Sequence, residues 1–248
     1  MPTREQSIVT QVRAALENER RINLHRHPLE VRVEAEAVVL EGEVESVAAK
    51  KLALRLAAAV GDVRGVVDRL RVAPAERKGD GAIRDSLCGF LLGAPELRTC
   101  TVRARVKDRI ETLRDAAAGD GGEIEVTIDD GVVTLEGTVI SLSHKRVAGV
   151  LAWWTPGCRD VVNSLGVVPD EEDNDGEVVD ALGLVLEMDP SLRGDEITVK
   201  CRDFVITLSG TVASEAERRR AEFDAWALFA VDEVVNEIVV RAVPASLA

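Results

Sequence analysis

Tyrosine is absent from this 248-residue chain, aromatic residues make up only 3% of it, and three histidines occur, His25, His27 and His144. So small a supply of flat rings argues against a stacking platform for single-stranded nucleic acid. With three histidines and neither HExxH nor GxSxG, zinc-hydrolase and serine-hydrolase schemes have little material. The four cysteines, Cys88, Cys100, Cys158 and Cys201, are widely spaced without a CxxC, which argues against a zinc knuckle, a redox pair or a disulfide framework and suits buried free thiols. Long apolar runs are missing too: Leu52 to Val60 is interrupted by Arg55 and falls short of the roughly 20 residues that cross a bilayer. The N-terminal stretch has no unbroken apolar segment and no small-residue cleavage site, so the expectation is a cytoplasmic protein with no transmembrane segment. Positive charge is in deficit, 31 Lys and Arg against 44 Asp and Glu for a net charge of -13. Long-range forces therefore repel nucleic acid and anionic lipid, and contact with either must be local. What remains, 46% apolar and 30% charged residues, is the composition of a folded globular chain.

The positive signal is self-similarity. Three apolar phrases carry a glycine, VVLEGEV with Gly42, VVTLEGTV with Gly137 and VITLSGTV with Gly210. Other positions recur at fixed distances from it: Ser46, Ser141 and Ser214; then the basic pairs Lys50-Lys51, Lys145-Arg146 and Arg218-Arg219. Alanines follow (Ala53, Ala148, Ala221, then Ala57, Ala152, Ala225), and last the valine pairs at Val66, Val161 and Val234. Such recurrence marks tandem copies of one unit. The serines stand where a strand gives way to a helix and read as N-caps. The alanines, one helical turn apart, present a small-residue face that can lie close on a sheet. A glycine inside a strand signals a bulge or a helix crossing closely overhead, so Gly42, Gly137 and Gly210 read as structural.

Ahead of each glycine strand lies another alternating strand, Leu29-Val31-Val33, Ile124-Val126-Ile128 and Ile197-Val199. They are joined to it through Glu34-Ala35-Glu36, Asp129-Asp130-Gly131 and Cys201-Arg202-Asp203, so antiparallel hairpins are predicted. Amphipathic first helices are read from Ile8, Val12 and Leu16, from Val106, Ile110 and Leu113, and from Val179, Leu182 and Leu186. The unit is helix, strand, strand, helix, strand.

With V-x-L-x-G-x-V, the following Ser, the basic pair, Ala and the terminal VVN in place, the chain resembles the BON (bacterial osmotically inducible and nodulation) family. Val162-Asn163 and Val235-Asn236 fit it better than Val67-Asp68, and the first copy lacks a turn glycine. The fold class expected is α+β: three tandem αββαβ domains, each a three-stranded mixed sheet with two helices on one face. The resemblance implies a non-enzymatic binding or adaptor protein without cofactor, contacting phospholipid or membrane-surface partners in osmotic stress. Other members suggest a cytoplasmic potassium-responsive module, and a protein scaffold is a third reading.

The expected boundaries are 1–73 for the first copy, 74–101 for a linker with an extra helix, 102–169 for the second copy, 170–176 for an acidic solvated linker and 177–242 for the third. Residues 83–108 align without gaps to 178–203, which leaves two readings. Either the helix at 83–92 is a duplicated extra, or it is the true first helix of copy two and Val106 to Leu113 is an insertion. The extra helix is preferred because Val106, Ile110 and Leu113 sit at the expected distance from the hairpin. The acidic run from Glu171 to Gly176 superficially fits a calcium loop, but Leu182 stands where a bidentate glutamate is required. Gly119 to Gly122 leads into a strand and lacks the Lys-Ser/Thr of a phosphate loop, and His25 and His27 read as surface residues. No catalytic or metal site is nominated. The candidate binding residues are the basic pairs Lys50, Lys51, Lys145, Arg146, Arg218 and Arg219. They sit early in a helix, where the macrodipole favours acids, so helix stability does not explain them; the two readings are a solvated helix face and contact with anionic phospholipid. Trp153 and Trp226 share one repeat position, beside Trp154 and Phe229, and read chiefly as packing.

Overall fold

A computed structural model of the chain describes residues 3–61, 63–107, 109–116 and 121–241. Two units are distinguished, Met1–Glu76 and Arg77–Ala248. The first holds α1 (Arg4–Asn18), β1 (Glu30–Glu34), β2 (Ala37–Val44), α2 (Val47–Ala58) and β3 (Val66–Val72). Thr3 and Gln6 form a capping box at the start of α1, which satisfies two N–H groups that the helix itself cannot. Its stripe Ile8, Val12 and Leu16 is buried, each side chain contributing about 2 kcal/mol. The sheet order is β1-β2-β3, antiparallel then parallel.

The second unit contains two more copies. One comprises α3 (Asp80–Gly93), β4 (Thr101–Val106), β5 (Arg109–Arg114), β6 (Gly122–Asp129), β7 (Val132–Val139), α4 (Leu142–Trp154), β8 (Asp160–Asn163) and β9 (Gly166–Val167). The other comprises α5 (Asp175–Met188), β10 (Ile197–Arg202), β11 (Val205–Val212), α6 (Glu215–Ala227), β12 (Glu233–Asn236) and β13 (Val239–Val240). The first of these sheets runs β5-β4-β6-β7-β8 with β9 also on β7; the second runs β10-β11-β12 with β13 also on β11. The αββαβ unit thus occurs three times, and the α+β expectation holds.

All three serines cap as predicted: Ser46, Ser141 and Ser214 accept from the N–H groups of Ala49, His144 and Glu217. The recurring alanines of α2, α4 and α6 are all buried. The glycines have a different reason from the one expected. Their φ angles are 139°, 120° and 129°, a region that side chains avoid, and strand pairing continues regularly past Gly137. A Cβ on Gly137 or Gly210 would lie 2.2 Å from the carbonyl oxygen of Glu123 or Glu196. The close neighbour is the chain at or just before the start of the preceding strand, Glu123 in β6, Glu196 ahead of β10 and, for Gly42, Pro28 and Leu29 ahead of β1, not an α-helix overhead.

Two expectations are overturned locally. Val106, Ile110 and Leu113 belong to no helix: β4 and β5 occupy that stretch, and Ile110 and Leu113 are 48% and 42% exposed. The sequence TVRARV alternates with period two. It buries Val102 and Ala104 while Arg103 and Arg105 pair with Glu123 and Glu125 on the parallel neighbour β6. The apolar stripe of copy two is instead Ile83, Leu87 and Leu91 on α3, which packs on β6 as α1 packs on β1 and α5 on β10. Arg114 fastens the hairpin to the end of that helix by donating to the carbonyls of Leu92, Leu97 and Cys100. The third hairpin also turns later than predicted. Strand pairing runs to Arg202 and Val205, leaving Asp203 and Phe204 in the turn with positive φ, as Asp130-Gly131 and Ala35-Glu36 are in the other copies.

Candidate functional site

The recurrence of the basic pairs has a structural origin in two copies. From α2, Lys50 donates to the Leu70 carbonyl at 2.7 Å and pairs with Asp68 at 2.8 Å. From α6, Arg218 donates to the carbonyls of Ile238 and Asn236. Both reach the same place, the middle of the closing strand. There Asp68, Asn163 and Asn236 accept from the N–H two residues on, at Leu70, Leu165 and Ile238. The asparagines also donate to the helix, at the carbonyls of Lys145 and Arg218. An ionised aspartate has no proton to donate, so in copy one the Lys50 ammonium makes the link from the helix side.

In copy two the pair serves the junction with copy three. The α4 helix is buried on several faces because its own sheet lies on one side and α5 and α6 on another. Arg146 is 0% exposed, pairs with Asp173 at 2.6 Å and lies 4.4 Å from the ring centre of Phe229, with Lys145 at 5.2 Å. The six predicted binding residues differ in exposure. Lys50 and Arg146 are buried, Lys51, Lys145 and Arg218 are half-buried, and Arg219 is exposed beside Glu215 at 3.6 Å.

The acidic run is largely exposed, as a solvated linker would be, but it also makes specific contacts. The Glu171 carboxylate accepts from the Leu142 N–H at the start of α4, Asp173 holds Arg146, and Asn174 caps α5. Asp175 accepts from the N–H groups of Phe204 and Asp203 and from the Cys201 thiol. The Phe204 bond, followed by those of Cys201 and Asp203, holds its carboxyl below the ordinary range. Burial first, and then Asp175, pushes the Cys201 thiol up to about 12. Asp80 on α3 makes the equivalent bonds to Asp130 and Gly131. This is a second sign that α3 is the counterpart of α5.

A cleft of about 710 Å³ opens at the junction of copies two and three. Its walls are the ends of the two first helices, Ala94-Pro95-Glu96 and Asp189-Pro190-Ser191, the segments that align in the sequence. Leu151, Trp154 and Arg220 line it from α4 and α6, and Phe90 and Met188 add apolar surface. Gly89 and Gly93 leave open space beside them, since a Cβ there meets nothing within 4 Å. Between the walls and α6 lies a polar cluster. Arg220 pairs with buried Asp189, sits 3.6 Å from Asp224 and stacks 4.9 Å from the Trp154 ring. Trp154 donates its indole N–H to Asp224 at 2.8 Å, tying α4 to α6.

The two aspartates are driven apart in acidity. Burial pushes Asp189 up, but bonds from Arg220 and the Ser191 N–H outweigh it and leave the group below its ordinary range. Asp224 is 0% exposed, and burial, opposed by Arg220 and reinforced by Asp189, pushes its carboxyl up to about 8. Its Oδ2 has no hydrogen-bond donor. A proton retained on Asp224 supplies a donor toward Asp189, so the pair shares one negative charge at neutral pH.

Sequence reading missed this cluster. Its signals were the matched prolines Pro95 and Pro190 and an Arg-Asp pair one turn apart on α6. His144 lies near the cleft wall, its Nδ1 2.6 Å from the Ser141 hydroxyl oxygen and its ring bonded to the Glu96 backbone, and burial lowers its pKa. His25 and His27 lie in a turn, and no group of three metal-ligating side chains occurs among the described residues. Of the glycine cluster, Gly119 lies outside the described residues and Gly122 opens β6. Among the described residues no helix is long and apolar enough to cross a membrane.

A model of the BON domain matches residues 4–74, 98–169 and 174–242. No curated protein matches the chain. Two solved structures are similar over nearly all of it. One is the C-terminal domain of CdsD, the structural protein of the type III secretion system of Chlamydia trachomatis, at 12% identity, covering 98% of this chain and 100% of that one with a TM-score of 0.23. A second structure of CdsD gives 13% identity, 96% and 94% coverage and a TM-score of 0.26.

Proposed function

Since the chain belongs to the BON domain family, a family of non-catalytic binding domains, we propose that it is an adaptor whose second and third domains together hold a protein partner in the cleft between them. In this reading the second domain begins with α3, the β4–β5 hairpin is an insertion extending its sheet, and residues 170–176 fasten it to the third.

The observation that carries the reading is the cleft itself. Neither domain forms it alone, and pockets at domain junctions are where binding sites concentrate. Contact with anionic phospholipid through the second helices has less to work with. Lys50, Arg146 and Arg218 are engaged within the fold, and the chain carries a net charge of -13. For a potassium-responsive module, no group of three His, Cys, Asp or Glu side chains that could hold an ion occurs among the described residues.

Two measurements on the full chain decide between these readings. Partners crosslinked and captured by the wild type should be lost with Gly93→Trp, a substitution that fills the cleft from a position with room for it. Flotation with phosphatidylglycerol vesicles at low salt should be absent. Flotation that Arg219→Glu abolishes and Gly93→Trp leaves unchanged would overturn the reading in favour of lipid.

A further inference from the structure

We propose that the cleft anchors a lysine or arginine side chain presented by the partner protein; the inference rests on the adaptor reading above. Three features of the cleft point to that chemistry. First, Glu96 is half-buried on one wall, and its Oε2, tucked away from solvent, has no hydrogen-bond partner among the described residues, so a turn of the side chain toward the cleft would bring it to a ligand. A buried acceptor without a partner is costly to maintain, and a charged donor is its strongest complement.

Second, the charge around it is uncompensated. Among the described residues lining the cleft, Arg220 is the one Lys or Arg, and it is already held by Asp189 and Asp224. Glu96 and Glu187 are left over, so an incoming cation meets a negative wall. The net charge of -13 on the whole chain draws basic segments toward the protein at long range.

Third, the remaining lining suits the long stem of such a side chain. Phe90 is exposed, and Trp154 and Met188 stand with it around the open space beside Gly89 and Gly93. Aromatic faces attract guanidinium and ammonium groups, and apolar walls take the methylenes behind them. The apolar stretch continues over Pro95 and Pro190, beyond what a bare amine could cover. That favours a polypeptide over a free polyamine.

The test is selection of a random peptide display library on the full chain, followed by tryptophan fluorescence titration of a synthetic enriched peptide. The expected result is a basic residue in the enriched sequences, with binding weakened about tenfold by Glu96→Gln, abolished by Gly93→Trp and unchanged by Arg219→Ala. Both cleft variants should keep the wild-type melting temperature. Cleft-binding peptides that lack a basic residue, or that ignore Glu96→Gln, overturn this inference and leave the adaptor reading standing. So does spermidine binding as tightly as the peptide. Peptides that bind Gly93→Trp as well as wild type, or a selection that enriches nothing, overturn both.

Discussion

Replacing Asp224 by Asn should stabilise the protein in a way that depends on pH. In the folded chain the Asp224 carboxyl keeps its proton up to about pH 8, whereas an unfolded aspartate loses it near pH 4. Between those values the folded state binds the extra proton. Stability contributed by this group is complete below the unfolded pKa and is lost as pH rises toward the folded one, by about 1.4 kcal/mol per pH unit. Spread over the whole window of about four pH units this comes to about 5.5 kcal/mol. Coupling to Asp189, whose carboxyl is shifted the opposite way, makes that figure an upper bound. Asparagine is close to the same shape, can still accept from the Trp154 indole, and offers Asp189 a donor at every pH. Urea unfolding of wild type and Asp224→Asn should therefore give similar midpoints near pH 4 and diverge steadily to pH 8, with the variant more stable. Parallel profiles would refute the account of a shared proton at the domain junction.

Other outcomes follow from the same geometry. Gly210→Ala should cost at least about 2 kcal/mol in chemical denaturation, because its φ and the Glu196 carbonyl both oppose a Cβ. Arg146→Ala should cost about 3 kcal/mol, leaving Asp173 without its partner and a gap beside Phe229. The exposed Arg219→Ala should change stability by less than about 0.5 kcal/mol, so equal effects would undermine the distinction drawn between members of the basic pairs. With the thiols of Cys88 and Cys201 pushed up to about 11 and about 12, thiolate is scarce at pH 8. A thiol reagent should label either cysteine only slowly until denaturant is added, and rapid labelling of the native protein would contradict their placement.

Much of the fold was legible because its signals are local and recur. The glycine register, the serine caps and the buried alanines each reflect a short-range requirement, and all three copies state it. Where the sequence misled, a local pattern was overruled by its surroundings. Val106, Ile110 and Leu113 have helical spacing, but the alternation around them pairs with β6, and the core stripe was already supplied by α3. The turn at Asp203-Phe204 lacks the glycine that usually marks such turns. It is held instead by Asp175, distant in the sequence.

The candidate site was least legible for the same reason. A basic pair on a helix looks like a surface in one dimension. The packing of copy three on α4 buries Arg146, and the carbonyls of the closing strand absorb Lys50 and Arg218. The acidic residues that looked like solvated spacing supply their partners or cap the neighbouring helix. The cleft joins residues from four helices in two domains, and periodicity along one segment carries no trace of such a junction beyond the matched prolines.

The central claim is that the second and third domains act together as a binding site at the cleft. Its most direct test is calorimetric titration of wild type and Gly93→Trp with a captured partner or selected peptide, alongside melting curves of both proteins. The account predicts that Gly93→Trp melts like the wild type and shows no heat of binding. Equal binding by both proteins would contradict it.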